Sequence, residues 1–230
     1  MSSVPTPVTE ADGGAAALIR QDIIAGTFAP GQRLVEAELC TSYGLSRATV
    51  RAALAELDHE GLVERIAHRG ARVRTVSVAE AIQITEVRMV IEGLCARKAA
   101  ENITDRQIRE VREIGSHMQE SVAAGDVLAY RSLNVRLHDT LRAIAAQPVA
   151  ESMLGHLLAR NVRHQFRLAL VPGRAQVSLS EHLAIIDEVC SKEPEAAERA
   201  MRRHIESVIR ALEATAGGGA GTGQRTAVTV

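Results

Sequence analysis

The chain has 230 residues, 46% of them hydrophobic and 24% charged, and its 27 Lys and Arg against 28 Asp and Glu give a formal net charge of −1. That is the profile of an ordinary soluble globular protein, and the 2% aromatic content without tryptophan argues against modules that stack bases of RNA or single strands. No stretch approaches the roughly 18 consecutive apolar residues of a membrane span, and the first residues lack a signal-peptide pattern, so a cytoplasmic protein with no membrane partner is expected.

Residues 1–14 are rich in Ser, Pro, Thr and Gly and read as a flexible arm. Ala15 to Gly26 reads as a helix, with Leu18, Ile19, Ile23 and Ile24 at helical spacing before a turn at Pro30-Gly31. Two short helices joined by a tight turn at Tyr43-Gly44-Leu45 follow. The second starts after Ser46, a good N-cap, and runs to about His59, where Gly61 supplies a stop. At roughly 100° per residue, Val50, Leu54 and Leu57 share one apolar stripe, while Arg47, Ala48 and Arg51 share another near the helix start. A recognition helix presents its side chains to base edges and phosphates from that position. Arginine suits the task because its planar fork bonds guanine O6 and N7 together or grips a phosphate. Thr49 can bond a backbone oxygen or meet a thymine methyl.

Residues 62–66 and 71–75 read as paired strands around a turn at His68-Arg69-Gly70. From Arg65 to Arg74 there are four arginines, one histidine and no acid, so this wing can follow a phosphate backbone. Residues 1–75 nonetheless hold eight arginines against nine acids. DNA affinity must therefore come from local placement, without strong non-specific binding. The expected unit is a winged helix-turn-helix over residues 15–76.

From Ser77 the pattern is helical only. Ser77-Val78-Ala79-Glu80 and Thr104-Asp105-Arg106-Gln107 are capping boxes. Further starts are expected after Gly125, near Pro148, after Pro172-Gly173 and at Pro194. Six helices between about 78 and 214 with short connections predict an antiparallel bundle, so the fold class is mostly α. Residues 215–230 read as a disordered tail. The three cysteines Cys40, Cys95 and Cys190 are far apart and fit neither a disulfide framework nor a thiolate metal site.

Four polar residues occupy interior positions of this bundle. Asn134 and His138 are one turn apart on the stripe of Leu141 and Ala145, His182 shares its stripe with Ile185, Ile186 and Val189, and His204 lies with Met201, Val208 and Leu212. Buried imidazoles need partners, and a divalent cation satisfies several at once. The expected donor set is Asn134, His138, His182 and His204. Nitrogen and oxygen donors suit zinc or nickel, with manganese and iron also open. Because Asn134 is neutral, the charge of such an ion is uncompensated and attracts an anion. Arg88, on the apolar stripe Ile84, Ile91 and Cys95, needs a partner too. Either Glu92 at i+4 or the carboxylate of a bound metabolite would serve. The other histidines outside the wing, His59, His117, His156 and His164, read as surface or helix-end residues.

The chain resembles the GntR family of bacterial transcription regulators, in the FadR subfamily with an FCD effector domain. The N-terminal resemblance rests on Pro30-Gly31-Gln32-Arg33-Leu34, Glu38-Leu39, Gly44-Leu45-Ser46-Arg47, Val50-Arg51, Glu60-Gly61-Leu62-Val63 and Arg69-Gly70-Ala71-Arg72-Val73. The C-terminal resemblance rests on Glu86-Val87-Arg88 with Glu92, Asn134-x-x-x-His138, Glu181-His182 and Arg203-His204. It implies a homodimer on a palindromic double-stranded operator, a metal held through Asn134, His138, His182 and His204, and a small carboxylate metabolite that releases the protein from DNA. The short effector domain is similar to the VanR branch. Two departures stand out: Ala52-Ala53 replaces Glu-Ala after Arg51, which leaves Arg51 without a helix neighbour to orient it, and Cys40 stands where alanine is common.

The expected function is thus a ligand-responsive, metal-containing dimeric repressor. Its DNA-binding residues would be Arg33, Ser46, Arg47, Thr49, Arg51, His68, Arg69 and Gly70, and its effector residue Arg88. A metal-dependent hydrolase using the three histidines is the alternative, together with a helical interaction module whose histidines are core residues.

Overall fold

The computed structural model describes residues 14–66 and 70–217, so the N-terminal arm up to residue 13, the wing residues 67–69 with His68 and Arg69 among them, and the tail from residue 218 lie outside the described residues. The chain divides into two compact units that meet between Val76 and Ser77.

The first unit holds α1 (Gly14–Ala25), β1 (Arg33–Leu34), α2 (Glu36–Tyr43), α3 (Arg47–His59), β2 (Val63–Ile66) and β3 (Gly70–Val73). Gly26, read from sequence as part of the first helix, instead ends it with φ 90°. The turn between α2 and α3 works because Gly44, in the left-handed conformation, donates its amide to Cys40 O, and Ser46 Oγ then accepts from Thr49 N. Val50, Ala53, Leu54 and Leu57 of α3 are buried, as are Ile19 and Ile23 of α1, Leu39 of α2 and the sheet residues Leu34, Val63 and Val73, and α3 packs on α1, α2 and β2. Sequence reading predicts two strands, and the described residues form three in the order β1-β3-β2, all antiparallel. At two residues β1 is too short to show an alternating pattern.

Among the described residues the second unit holds six helices: α4 (Val78–Asn102), α5 (Asp105–Ala123), α6 (Val127–Ala145), α7 (Pro148–Ala169), α8 (Arg174–Cys190) and α9 (Pro194–Gly217). Five of these six starts have a visible cause. Ser77 Oγ accepts from Glu80 N, Thr104 and Gln107 complete a capping box, Asp126 accepts from Ala129 N, and Pro148 and Pro194 occupy first turns. Connections of two to four residues make successive helices reverse direction. The last helix continues to Gly217, three residues past the expected end at 214.

The long α4 is the spine of the bundle and lies along α9, with α6 and α7 also packed on it. Ala96, Ala99 and Ala100 of α4 and Ala197 and Ala200 of α9 are all buried, and such small residues let the two backbones approach closely. The core continues through Val111, Ile114 and Met118 of α5, Leu137 and Leu141 of α6, Leu154 of α7 and Ile185 of α8. His182 and His204 are buried within that apolar interior.

Candidate functional site

On the first unit, Arg47, Ala48 and Arg51 are exposed along one side of α3, opposite its buried stripe. Ser46 and Thr49 join their hydroxyls at 2.8 Å. Arg51 Nε donates to Glu36 Oε2 at 2.8 Å, so the residue that orients this guanidinium comes from α2 and not from α3, where Ala52 and Ala53 leave no candidate. In the sheet, Arg33 stands opposite Arg72, which stands opposite Glu64. Glu64 pairs with Arg72 at 3.2 Å and with Arg74 at 3.9 Å, so one acid on β2 offsets part of the positive charge read into the wing. Gly70, with φ 86°, begins β3, and a Cβ on it would lie 2.5 Å from Leu34 O. The structure thus gives Gly70 a backbone reason to be glycine.

In the bundle, one ring nitrogen from each of His138, His182 and His204 lies within 4.8 Å of the others. His138 Nε2 and His182 Nε2 are 3.3 Å apart. Each ring is gripped on its far side. His138 Nδ1 meets Glu92 Oε2 at 2.9 Å, His182 Nδ1 meets the Tyr130 hydroxyl at 3.0 Å, and His204 Nδ1 meets Glu181 Oε2 at 2.8 Å. An ionised carboxylate only accepts, so His138 and His204 donate from Nδ1 and keep an Nε2 lone pair.

Both supporting carboxylates are themselves held by arginine. Arg88 donates to Glu92 Oε1 from Nε at 2.9 Å and from Nη2 at 2.6 Å. Arg174 donates to Glu181 Oε2 at 3.4 Å and to Ser207 Oγ at 2.8 Å. Burial opposes ionisation of Glu92, but Arg88 and the His138 hydrogen bond prevail and hold its carboxyl well below the usual range. Glu181 is likewise lowered against its burial, by His204, Ser207 and Arg174. Burial drives His182 well below the ordinary imidazole value, with repulsion from His204 and His138 adding to it. Burial also lowers His204 despite Glu181. Both rings are therefore neutral near pH 7, the form that ligates metals.

Asn134 Oδ1, one turn before His138 on α6, is buried without a hydrogen-bond partner, as is Arg88 Nη1. Three inward imidazoles and an orphaned carboxamide oxygen are a donor set that fits a divalent cation. Of the two partners open to Arg88 from sequence, Glu92 takes Nε and Nη2 and leaves Nη1 over. Tyr130, Glu181 and Arg174 support the cluster, and sequence reasoning does not assign them that role. Tyr130 is open to detection, since it lies four residues before Asn134 on one helical stripe. That Glu181 reaches His204 follows only from how α8 and α9 pack. His59, His117 and His156 are exposed.

The model of the FCD domain matches residues 83–207, and that of the bacterial regulatory proteins of the gntR family matches residues 13–73. The chain belongs to the GntR family. It is a DNA-binding transcriptional regulator, and the family is one of regulators and not of enzymes. This regulator is 27% identical over 195 residues to the HTH-type transcriptional repressor RspR of Escherichia coli, covering 85% of this chain and 86% of that one. It is 30% identical over 208 residues to the HTH-type transcriptional repressor NanR of Citrobacter rodentium, covering 79% and 77%. Among solved structures, E. coli McbR/YncC superposes with a TM-score of 0.75 at 18% identity, over 91% of this chain and all 100% of that one. A GntR regulator from Rhodococcus gives 0.66 at 24%, over 87% and 96%. The hydrolase alternative finds no support: both carboxylates beside the cluster are committed to Nδ1 atoms and arginines, which leaves neither free as a general base.

Proposed function

We propose that this GntR-family regulator is a metal-containing, effector-released repressor that binds a palindromic operator as a homodimer in the cytoplasm. Arg47, Thr49 and Arg51 read the major groove, with Ser46 fixing the helix start, while Arg33, His68, Arg69 and Gly70 contact the backbone or minor groove from the sheet and wing. Asn134, His138, His182 and His204 would hold a divalent ion, zinc or nickel before manganese or iron, and Arg88 together with that ion would take the carboxylate of a small metabolite. When bound, the ion supplies a fixed positive charge and an open position for a carboxylate oxygen.

The observation that carries this reading is the convergence of three imidazoles whose outer nitrogens are each fixed by Glu92, Tyr130 or Glu181. A core histidine needs partners, but nothing in ordinary packing requires three of them to turn the same nitrogen toward one point. Arg88 lies on α4, the helix that follows β3 directly in the chain after residues 74–77. A carboxylate drawn to Arg88 therefore acts on the element nearest in sequence to the DNA reader, and differential binding to the two states shifts operator affinity.

The test is metal content and operator binding of full-length protein, before and after chelation, beside His182→Ala. Stoichiometric metal in the wild type, lost in the variant, with thermal stability restored to chelated wild type by reloading, is expected. Wild-type protein that takes up no divalent metal on reconstitution, with unchanged melting temperature, would refute the reading.

A further inference from the structure

Arg51 stands in the second turn of α3, and its Nε donates at 2.8 Å to Oε2 of Glu36, the first residue of α2. The two side chains are 62% and 26% exposed, so the carboxylate is the better sheltered partner and the guanidinium stands outward from it. An exposed pair of this kind adds little to stability, because solvent screens it and two side chains lose freedom in forming it. It is also unfavourable for binding DNA at large. Residues 1–75 hold nine acids against eight arginines, and a carboxylate on the face that meets the duplex repels phosphates. A pair that stabilises little and opposes non-specific binding calls for a role in what the arginine recognises.

The geometry supplies that role. A guanidinium offers donors along more than one edge. The bond to Glu36 engages Nε, so the Nη1–Nη2 edge is left for the duplex, and that edge matches O6 and N7 of guanine. The charge of Glu36 at the same time disfavours a phosphate as the next partner of Arg51. On α3 itself Ala52 and Ala53 follow Arg51 and offer no acid, so the support comes from the helix across the turn, where Gly44 and the Ser46 cap set the path of the chain. Glu36 also lies in the first turn of α2, whose N-cap Val35 provides no side-chain hydrogen bond, and an acid there suits the positive end of the helix dipole. That purely structural role makes a different prediction from the one below.

We infer, on the basis of the major-groove role given to α3 under the proposed function, that Arg51 reads a guanine in each half-site and that Glu36 is the positioning residue that makes it a base reader and not a phosphate clamp. Without the carboxylate, Arg51 swings to the backbone: affinity for arbitrary sequence rises while the preference for guanine falls.

Duplexes selected from a random-sequence pool by full-length wild-type protein, their single-base-pair variants and an unselected duplex serve as probes, read by fluorescence anisotropy over a range of salt. Arg51→Ala locates the contact as the guanine whose replacement no longer matters. At that position Glu36→Ala should cut discrimination against the other base pairs about tenfold or more, with discrimination at all other positions as in wild type. The same variant should bind the unselected duplex more tightly and steepen its salt dependence by about one counterion. In the Arg51→Ala background, Glu36→Ala should change no discrimination. A structural role alone predicts a lower melting temperature and the same fold loss on every duplex. Full discrimination retained by Glu36→Ala, or a loss spread equally over all positions, would overturn the proposal and leave the docking of α3 standing. Where the alanine variant does not fold, Glu36→Gln decides, since it keeps the shape and removes the charge: its affinity for the unselected duplex should rise, and an unchanged one overturns the proposal. If the selected duplexes hold no guanine whose preference depends on Arg51, the base-reading role of Arg51 falls and that of Glu36 with it.

Discussion

Replacing Glu92 with glutamine removes one charge from the interior and should have two separable effects. The Glu92 and Arg88 side chains are only 2% and 7% exposed. Removing one member of a buried pair costs about 3–5 kcal/mol, because the remaining charge is uncompensated. Glutamine still offers Arg88 one acceptor, which places the expected loss near the lower end, about 3 kcal/mol. At roughly 2–4 °C per kcal/mol for a chain of this size, the melting temperature should fall by about 6–12 °C. The second effect concerns His138. If glutamine turns its amide nitrogen toward Nδ1, His138 must accept there and carry its proton on Nε2, the nitrogen 3.3 Å from His182 Nε2. Metal affinity should then drop by about 10- to 100-fold. Differential scanning calorimetry of the chelated protein reads the first effect and competition titration with a zinc chelator reads the second. A melting temperature within about 2 °C of wild type would refute the buried-charge argument, and unchanged zinc affinity would refute the role given to Nδ1.

Arg47→Ala removes an exposed side chain of α3 and should weaken operator binding by about 1–3 kcal/mol, with stability kept within about 0.5 kcal/mol; fluorescence anisotropy beside thermal melting checks both, and full operator affinity would rule out the docking face. Gly70→Ala places a Cβ 2.5 Å from Leu34 O at φ 86°, and should destabilise the first unit by about 1–3 kcal/mol, visible as a lower urea midpoint. An unchanged midpoint would mean that the strand shifts freely. The two tyrosines provide a pH test in a chain without tryptophan. Burial raises both above the ordinary value of 10, with Asp22 adding to it for Tyr43. A raised folded value gives stability that is complete below about pH 10 and lost as pH rises beyond it, so tyrosinate absorbance should appear together with unfolding on alkaline titration. A separate, earlier tyrosinate transition in the folded protein would contradict that burial.

Much of this architecture is legible from local rules. Ser46, Thr104, Pro148 and Pro194 mark helix starts because caps and first-turn prolines act within a few residues of themselves. The convergence of His138, His182 and His204 follows from stripe positions on separate helices once those helices are assumed to pack. What could not be read are the partners set by packing alone. Glu36 reaches Arg51 across the turn, Glu181 reaches His204 from the neighbouring helix, and β1 exists only because β3 lies beside it. None of these pairings leaves a periodic trace in its own segment.

The close seat of Gly70 on the Leu34 carbonyl ties the tip-side strand of the wing to the residue pair that enters α2. With β3 seated against β1 in this way, the spacing between that end of the sheet and the start of α2 is settled when the unit folds. Any substitution that lengthens the side chain at position 70 is thus felt at the entrance of α2 as well as in the sheet.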